Sequence, residues 1–492
     1  MADLKTPGVY LDKISTGSTP IGGVSTSVCA FMGKAPRGSD SGFTMISSWT
    51  DFVQKATAGS NMSVFRDDDY MAYNIYNFYQ NGGGRAYFGV IKGEGATKAS
   101  ATLGTSGNTV TFEAKSVGDW ANDIKIVIKA NALDSTLFDL SIQRTVDSKA
   151  DVYEQFKALS NDKNDISSYF VNALKSSNII NVTPTGNGAL SETTGIILAG
   201  GSEGSYTKEV ESKPQDITDA LYIGAEGLIH KLDSLKDVSL IVSSGESEAV
   251  IKGIIDYCTN REDMYAILDS KNTLDVSEVA KFRKSLKGLG ELHYPWVYMS
   301  DPVTGLTTEV PASGMIAGIY ARMDASYGVW RAPAGTEAVL RGALGIVKPL
   351  TDGEYETLFE AGVNCILAKP NAGIVLYGAR SLNQKYVSDD RLDIYCVKSI
   401  KEGTEWAIFE LNDENLWRRL RVVIKSFLND LYTKGAFKGN GEGSSYYVIC
   451  DSSLNTDANI EKGIVTTEWG YANKKPAEFV VHRLNKVTIS GN

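Results

Sequence analysis

Between about residue 216 and residue 375 one pattern repeats: a short β-branched run, an amphipathic helical stretch, then another run. The strand-like runs are Ser239–Ser243, Met264–Leu268, Trp296–Met299 and Cys365–Ala368. Strands separated by helices cannot pair as hairpins, so the crossovers make them parallel neighbours with helices on both faces. The repeat therefore predicts an α/β fold around a doubly wound sheet. The same order appears near the start. Val24–Met32 reads as a buried strand, 46–54 and 70–80 as helices, and Ala86–Ile91 as the next strand. The second helix carries an aromatic face of Tyr70, Tyr73, Ile75, Tyr76 and Tyr79 and stops at Gly82-Gly83-Gly84.

The text changes near Gly93. From about 97 to 205 short strands dominate (Val110–Glu113, Ile124–Ile128, Phe138–Ile142), with one helical stretch expected near 151–159, which predicts an inserted, mostly β domain. The most distinct helix runs from Asp413 to Lys434. Leu416, Trp417, Leu420, Val423, Ile424, Phe427, Leu428 and Leu431 form a 3.6-residue stripe, Asn412 is placed to cap its start and Gly435 its end. Strand text follows at Tyr446–Cys450, Gly463–Trp469 and Glu478–Val487. At the other end, Gly8–Ile14 is a strand isolated by a Ser/Thr/Gly/Pro linker up to Pro20. A lone strand is unstable in water, so it must pair with a distant part of the chain or with another subunit. The two strand-forming ends fit strand exchange between subunits, with an intramolecular sheet edge as the competitor.

Composition limits the chemistry. The 492 residues carry 49 Lys and Arg against 59 Asp and Glu, a net charge of −10. That excess of acid speaks against nucleic acid as a partner. No apolar run approaches the roughly 20 residues that span a bilayer, and the N-terminus lacks a signal-peptide core, so cytoplasmic synthesis is expected without membrane insertion. Five cysteines without CxxC spacing read as buried thiols, and three histidines without a ligand motif support no metal site. Gly439–Ser444 lacks the lysine of a phosphate loop and precedes a strand, so no cofactor is expected there. Ser313, in Pro311-Ala312-Ser313-Gly314, resembles the nucleophile segment of subtilisin-like proteases. The strand Leu240–Gly245 lacks the partner aspartate, however, and neither His230 nor His293 sits in a base motif. Ser313 then reads as a helix cap, and no catalytic residue is assigned. Arg418, Arg421 and Lys425 share one side of the final helix, away from the apolar stripe. They are either a solvated face or a docking surface for an acidic partner.

An ordered set of segments resembles the contractile tail sheath proteins of phages and related injection particles. They are Thr6–Tyr10, Pro20–Ser27, Ala30–Gly38, Phe78–Tyr87, Pro311–Gly314, Ala321–Asp324, Gly328–Gly335, Trp406–Trp417 and Lys475–Val481. The resemblance implies an α/β multidomain fold. An arm and linker (1–22) precedes an inner domain built by both chain ends (23–96 with 376–471). Into it are inserted a β-sandwich-like domain (97–205) and a non-catalytic subtilisin-like α/β domain (206–375), and a C-terminal arm (472–492) follows. It further implies extended terminal strands exchanged between subunits through Val9, Tyr10, Leu11, Ile14, Phe479, Val480, Val481 and Leu484. Arg418, Arg421 and Lys425 would face an inner tube. The implied role is structural rather than enzymatic: hexameric rings of this chain stack around a tail tube protein, between baseplate and tail terminator proteins, and contract to drive the tube through a cell envelope. Assembly in a bacterial host cytoplasm, as part of a phage tail or a released particle, is implied as well. A subtilisin-like serine hydrolase, or a carbohydrate- or protein-binding scaffold built on the β insertion, is the alternative.

Overall fold

The computed structural model describes residues 20–59, 62–105, 107–146, 149–210 and 213–478. They divide into two compact units, Ser25–Asp390 and a second unit that joins the residues up to Val24 to those from Arg391 onward.

The larger unit is organised by an eight-stranded sheet. Its order is Phe43–Ile46, Ala86–Val90, Cys29–Gly33, Leu240–Val242, Tyr265–Asp269, Gly290–Tyr294, Asn364–Lys369 and Gly373–Tyr377. The six inner strands are parallel and the two outermost antiparallel. Alternation along each strand sends side chains to two covered faces. Ala30, Met32, Ile241, Ala266 and Leu268 join a core completed by Val250, Ile251, Ile254 and Val279. The opposite face meets the helices Met71–Gln80 and Ser313–Tyr327, with Phe31 packed edge-on against Phe78 at 5.5 Å. The fold is thus mixed α/β, as the alternation of strand and helix text predicts.

Three corrections follow from strand pairing. First, the strands of 23–96 do not build one domain with 376–471. Cys29–Gly33 lies between Ala86–Val90 and Leu240–Val242, so the opening segment belongs to the same sheet as 206–375. A parallel strand with apolar residues on both faces needs neighbours on both sides, and the long insertion hides that continuity in the linear text. Secondly, Trp296–Met299 does not enter this sheet. The strand Val297–Ser300 pairs with Thr307–Val310 and Ala343–Ile346 in a separate three-stranded sheet, and Gly290–Tyr294 takes its expected place. The buried Glu291 and His293 mask that strand in the sequence. Thirdly, the helix expected near 151–159 is the strand Lys149–Leu159, paired with Phe138–Val146. Hairpin pairing overrides local preference here.

The β-rich stretch has a four-stranded sheet (Thr193–Ile197, Lys125–Ala130, Phe138–Val146, Lys149–Leu159) and a three-stranded one (Ser100–Thr105, Asn108–Ala114, Ile180–Thr185). They share a core of Val110, Phe112, Trp120, Ile126, Ile128, Leu140, Ile142 and Phe170.

In the second unit the helix Glu414–Thr433 buries the eight apolar residues that its periodicity marks. Its cap is Asp413 rather than Asn412. The Asp413 carboxylate accepts from the Leu416 amide at 2.9 Å, while Asn412 accepts from the Trp417 indole at 2.8 Å. Gly435 follows the helix at φ +87°, where only glycine is free of strain. Tyr446–Ile449 and Glu468–Tyr471 form a two-stranded antiparallel sheet, so Gly463–Thr467 stays outside the strand that the sequence suggests. All five cysteines are free and buried. Among the described residues no helix is long and apolar enough to cross a membrane.

Candidate functional site

Ser313 begins the helix Ser313–Tyr327, with Ala312 at the cap position, so the serine is not the cap. The first turn is capped from outside. Asp269 accepts the Ser313 amide at 2.9 Å and its hydroxyl as well, and Asn74 accepts the Gly314 amide at 2.7 Å. Burial pushes the Asp269 carboxyl up, against the pull of its hydrogen bonds from Ser313. The nearby imidazole faces Leu268 and Glu291. One nitrogen of His293 lies 3.1 Å from the Leu268 carbonyl oxygen and the other 3.4 Å from Glu291, which is held by Tyr320 and by Asn364 at 2.7 Å. Burial lowers the His293 pKa, but Glu291, Asp269 and the Leu268 carbonyl together outweigh burial and leave it raised. Ser313 is completely buried. A nucleophile needs a base within reach and a path for its substrate; the hydrogen bonds here join helix to sheet.

A second buried cluster lies where the sheet order reverses, beyond the carboxyl ends of Cys29–Gly33 and Leu240–Val242. Doubly wound sheets take their ligands at such a point. Here Tyr222 occupies it, its hydroxyl 2.8 Å from Glu246 and 3.4 Å from Asp69. Asp69 also accepts the amides of Lys34 and Met71, each at 2.8 Å. Burial, then mutual repulsion for Glu246, pushes Glu246 up to about 8, while burial raises Asp69 to about 7. Among the described residues no group of His, Cys, Asp and Glu side chains is arranged to hold a metal ion.

The three basic residues of the final helix separate in the structure. Arg418 and Arg421 line one groove of about 280 Å³ with Asp451. Arg418 donates to Asn415 at 3.1 Å and Arg421 to the Cys450 carbonyl at 3.2 Å. Lys425 instead pairs with Glu442 at 2.7 Å. The sequence reading missed Arg419, whose guanidinium lies 4.3 Å from the Trp406 ring centre and pairs with Glu410 at 3.0 Å. It also missed Phe409, which is fully exposed at φ +68°. A bulky residue in that region is strained, and nothing in the pattern Trp406–Trp417 signals a backbone angle.

The second unit also presents the antiparallel pair Tyr446–Ile449 and Glu468–Tyr471. Single bridges touch the pair at one end, Glu442 with Tyr446 and Phe437 with Asn473, and along the rest of both strands the outer edges have no ladder partner among the described residues. The strand-exchange residues Val9, Tyr10, Leu11, Ile14, Phe479, Val480, Val481 and Leu484 lie outside the described residues.

Known proteins carry the same architecture. Residues 223–382 match the family described as phage tail sheath protein central domain, and residues 94–203 match the phage tail sheath protein beta-sandwich domain. A putative prophage major tail sheath protein of Pseudomonas aeruginosa (strain UCBPP-PA14) is 26% identical over 250 residues, 49% of this chain and 62% of that protein. The tail sheath protein of Vibrio phage KVP40 is 25% identical over 171 residues, 34% of this chain and 25% of that protein. The chain thus spans a quarter of one of these relatives and less than two thirds of the other. In structure, the anti-feeding prophage helical sheath in its contracted state superposes with a TM-score of 0.58 at 18% identity, covering 97% of this chain and 98% of the other. Matched in sequence across its sheet and its sandwich, and in fold over nearly its full length, the chain belongs to the contractile tail sheath family.

Proposed function

We propose that this chain is a structural subunit that polymerises as stacked hexameric rings around an inner tail tube and contracts to drive the tube through a target cell envelope. The observation that carries the reading is the two-stranded sheet of the second unit. Two strands alone are marginal in water, and an outer edge accepts a further strand through backbone hydrogen bonds. Gly8–Ile14 and Phe479–Val487 of neighbouring copies supply such strands. Ser15–Pro20 and, of Ala472–Pro476, the part beyond the backbone-bonded Ala472 and Asn473 act as hinges that keep them paired while rings rotate. The energy released is the difference in burial between two packings of one surface, which calls for no nucleotide. Arg418 and Arg421 dock on the tube, baseplate and tail terminator proteins close the two ends, and assembly takes place in the host cytoplasm.

Negative-stain electron microscopy of the chain expressed alone, beside a variant lacking residues 1–20, tests this. Open-ended exchange predicts hollow striated tubes that disappear in the variant. Tubes that persist would overturn the N-terminal exchange, and monomers alone in both would count against self-driven polymerisation.

A further inference from the structure

The sequence contains three Asn-Gly pairs, Asn81-Gly82, Asn187-Gly188 and Asn440-Gly441. Glycine has no Cβ to shield its amide nitrogen and reaches backbone angles closed to other residues, so it is the successor best able to attack an asparagine side chain. The attack needs the glycine nitrogen, the asparagine Cγ and water to meet. The fold treats the three pairs differently. Asn81 is completely buried, and its carboxamide donates to the carbonyls of Asn77 at 2.9 Å and Arg341 at 3.0 Å and accepts the Arg341 amide at 2.8 Å. Asn187 is exposed, but Gly188 is buried against the Thr109 carbonyl and its amide donates to the Thr185 carbonyl at 3.0 Å. Asn440 is exposed, and its carboxamide makes no hydrogen bond among the described residues. Nothing stands within 4 Å of the place a Cβ on Gly441 would take. The Gly441 amide is held by a single bond, to the Ser445 hydroxyl at 3.2 Å, the long end of the range for such bonds.

We propose that Asn440 is a site of spontaneous, hydroxide-driven deamidation, and that it reacts in the folded chain ahead of the other two pairs. Hydroxide takes the proton of the Gly441 amide, and the nitrogen attacks Cγ of Asn440. A C–N bond closes a five-membered imide while the carboxamide nitrogen leaves as ammonia. Water then opens the imide at either carbonyl, giving aspartate or isoaspartate, with no change of oxidation state. Both products place a new carboxylate in the loop where Glu442 already pairs with Lys425 at 2.7 Å. Isoaspartate also lengthens the main chain by one carbon, inside a turn that the Asn440 and Gly441 amides close through the hydroxyls of Ser444 at 3.0 Å and Ser445 at 3.2 Å. That turn leads directly into the strand Tyr446–Ile449, so ageing at Asn440 disturbs the start of the strand.

Peptide mass mapping of the full chain during incubation at mildly alkaline pH, folded and in urea side by side, tests the proposal; the readout is mass and does not require polymerisation. In the folded chain, conversion at Asn440 should be at least about tenfold faster than at Asn187 or Asn81, because those two must first open locally. The rate at Asn440 should rise with pH, and in urea the three pairs should convert at similar rates. Asn440→Gln should remove the early acidic species from isoelectric focusing of the aged chain. Conversion of Asn187 while Asn440 stays intact, or equal rates at the three pairs in the folded chain, would overturn the site. The same ordering in urea as in the folded chain would overturn the role given to the fold.

Discussion

Replacing Glu246 by glutamine should stabilise the larger unit, by an amount that grows with pH. Glu246 is buried beside Asp69, with Tyr222 donating to it at 2.8 Å, and its pKa stands at about 8 against an ordinary 4.5. A carboxyl raised in the folded state contributes no penalty below its unfolded value. From there, stability falls as pH rises toward the folded value, because the unfolded chain releases the proton first. Those two values put the cost of holding Glu246 at about 1 kcal/mol at pH 5 and about 3 kcal/mol at pH 7. Glutamine keeps an oxygen to accept from Tyr222 and carries no charge at either pH. Its stabilising effect should therefore be about 2 kcal/mol larger at pH 7 than at pH 5. Lys34, Asp219 and the other charges near the pair remain in both proteins, so comparing parent and variant at two pH values cancels their titration to first order. Urea unfolding followed by tryptophan fluorescence gives the four free energies. An equal effect of Glu246→Gln at pH 5 and pH 7 would refute the raised pKa of Glu246.

Gly314→Ala should destabilise by about 1–3 kcal/mol in the same assay, because the added methyl would overlap the Asn74 backbone where the helices Met71–Gln80 and Ser313–Tyr327 cross. An unchanged midpoint would mean that those helices can separate at no cost. At position 409, glycine should be more stable than alanine by about 1 kcal/mol, since φ +68° strains any residue with a Cβ and the exposed ring contributes no burial to lose. Equal stability of the two variants would show that the loop relaxes out of that conformation.

Much of the fold is legible without coordinates. The period of two in the strands and 3.6 in the helices follows from backbone geometry alone, so the alternation after residue 216 and the stripe Leu416–Leu431 carry their own structural meaning. The absence of an aspartate after Val242 and of a histidine motif spoke against a triad around Ser313. The ordered segments pointed to the sheath family, which the sequence and fold comparisons then establish. Other features depend on partners far away in the chain. Gly290–Tyr294 is a central strand because Glu291 and His293 meet Tyr320, Asn364 and Leu268 in the interior, and no local pattern announces those partners. Lys149–Leu159 is a strand because a hairpin partner supplies its ladder. Cys29–Gly33 joins Leu240–Val242 across more than 200 residues, which turned an expected inner domain into part of the central sheet. The sequence by itself determined which segments are strands or helices wherever one local period dominates, and which family they compose. Tertiary structure alone decided which strands are neighbours and which polar groups lose water, because both depend on contacts that local backbone periodicity does not encode.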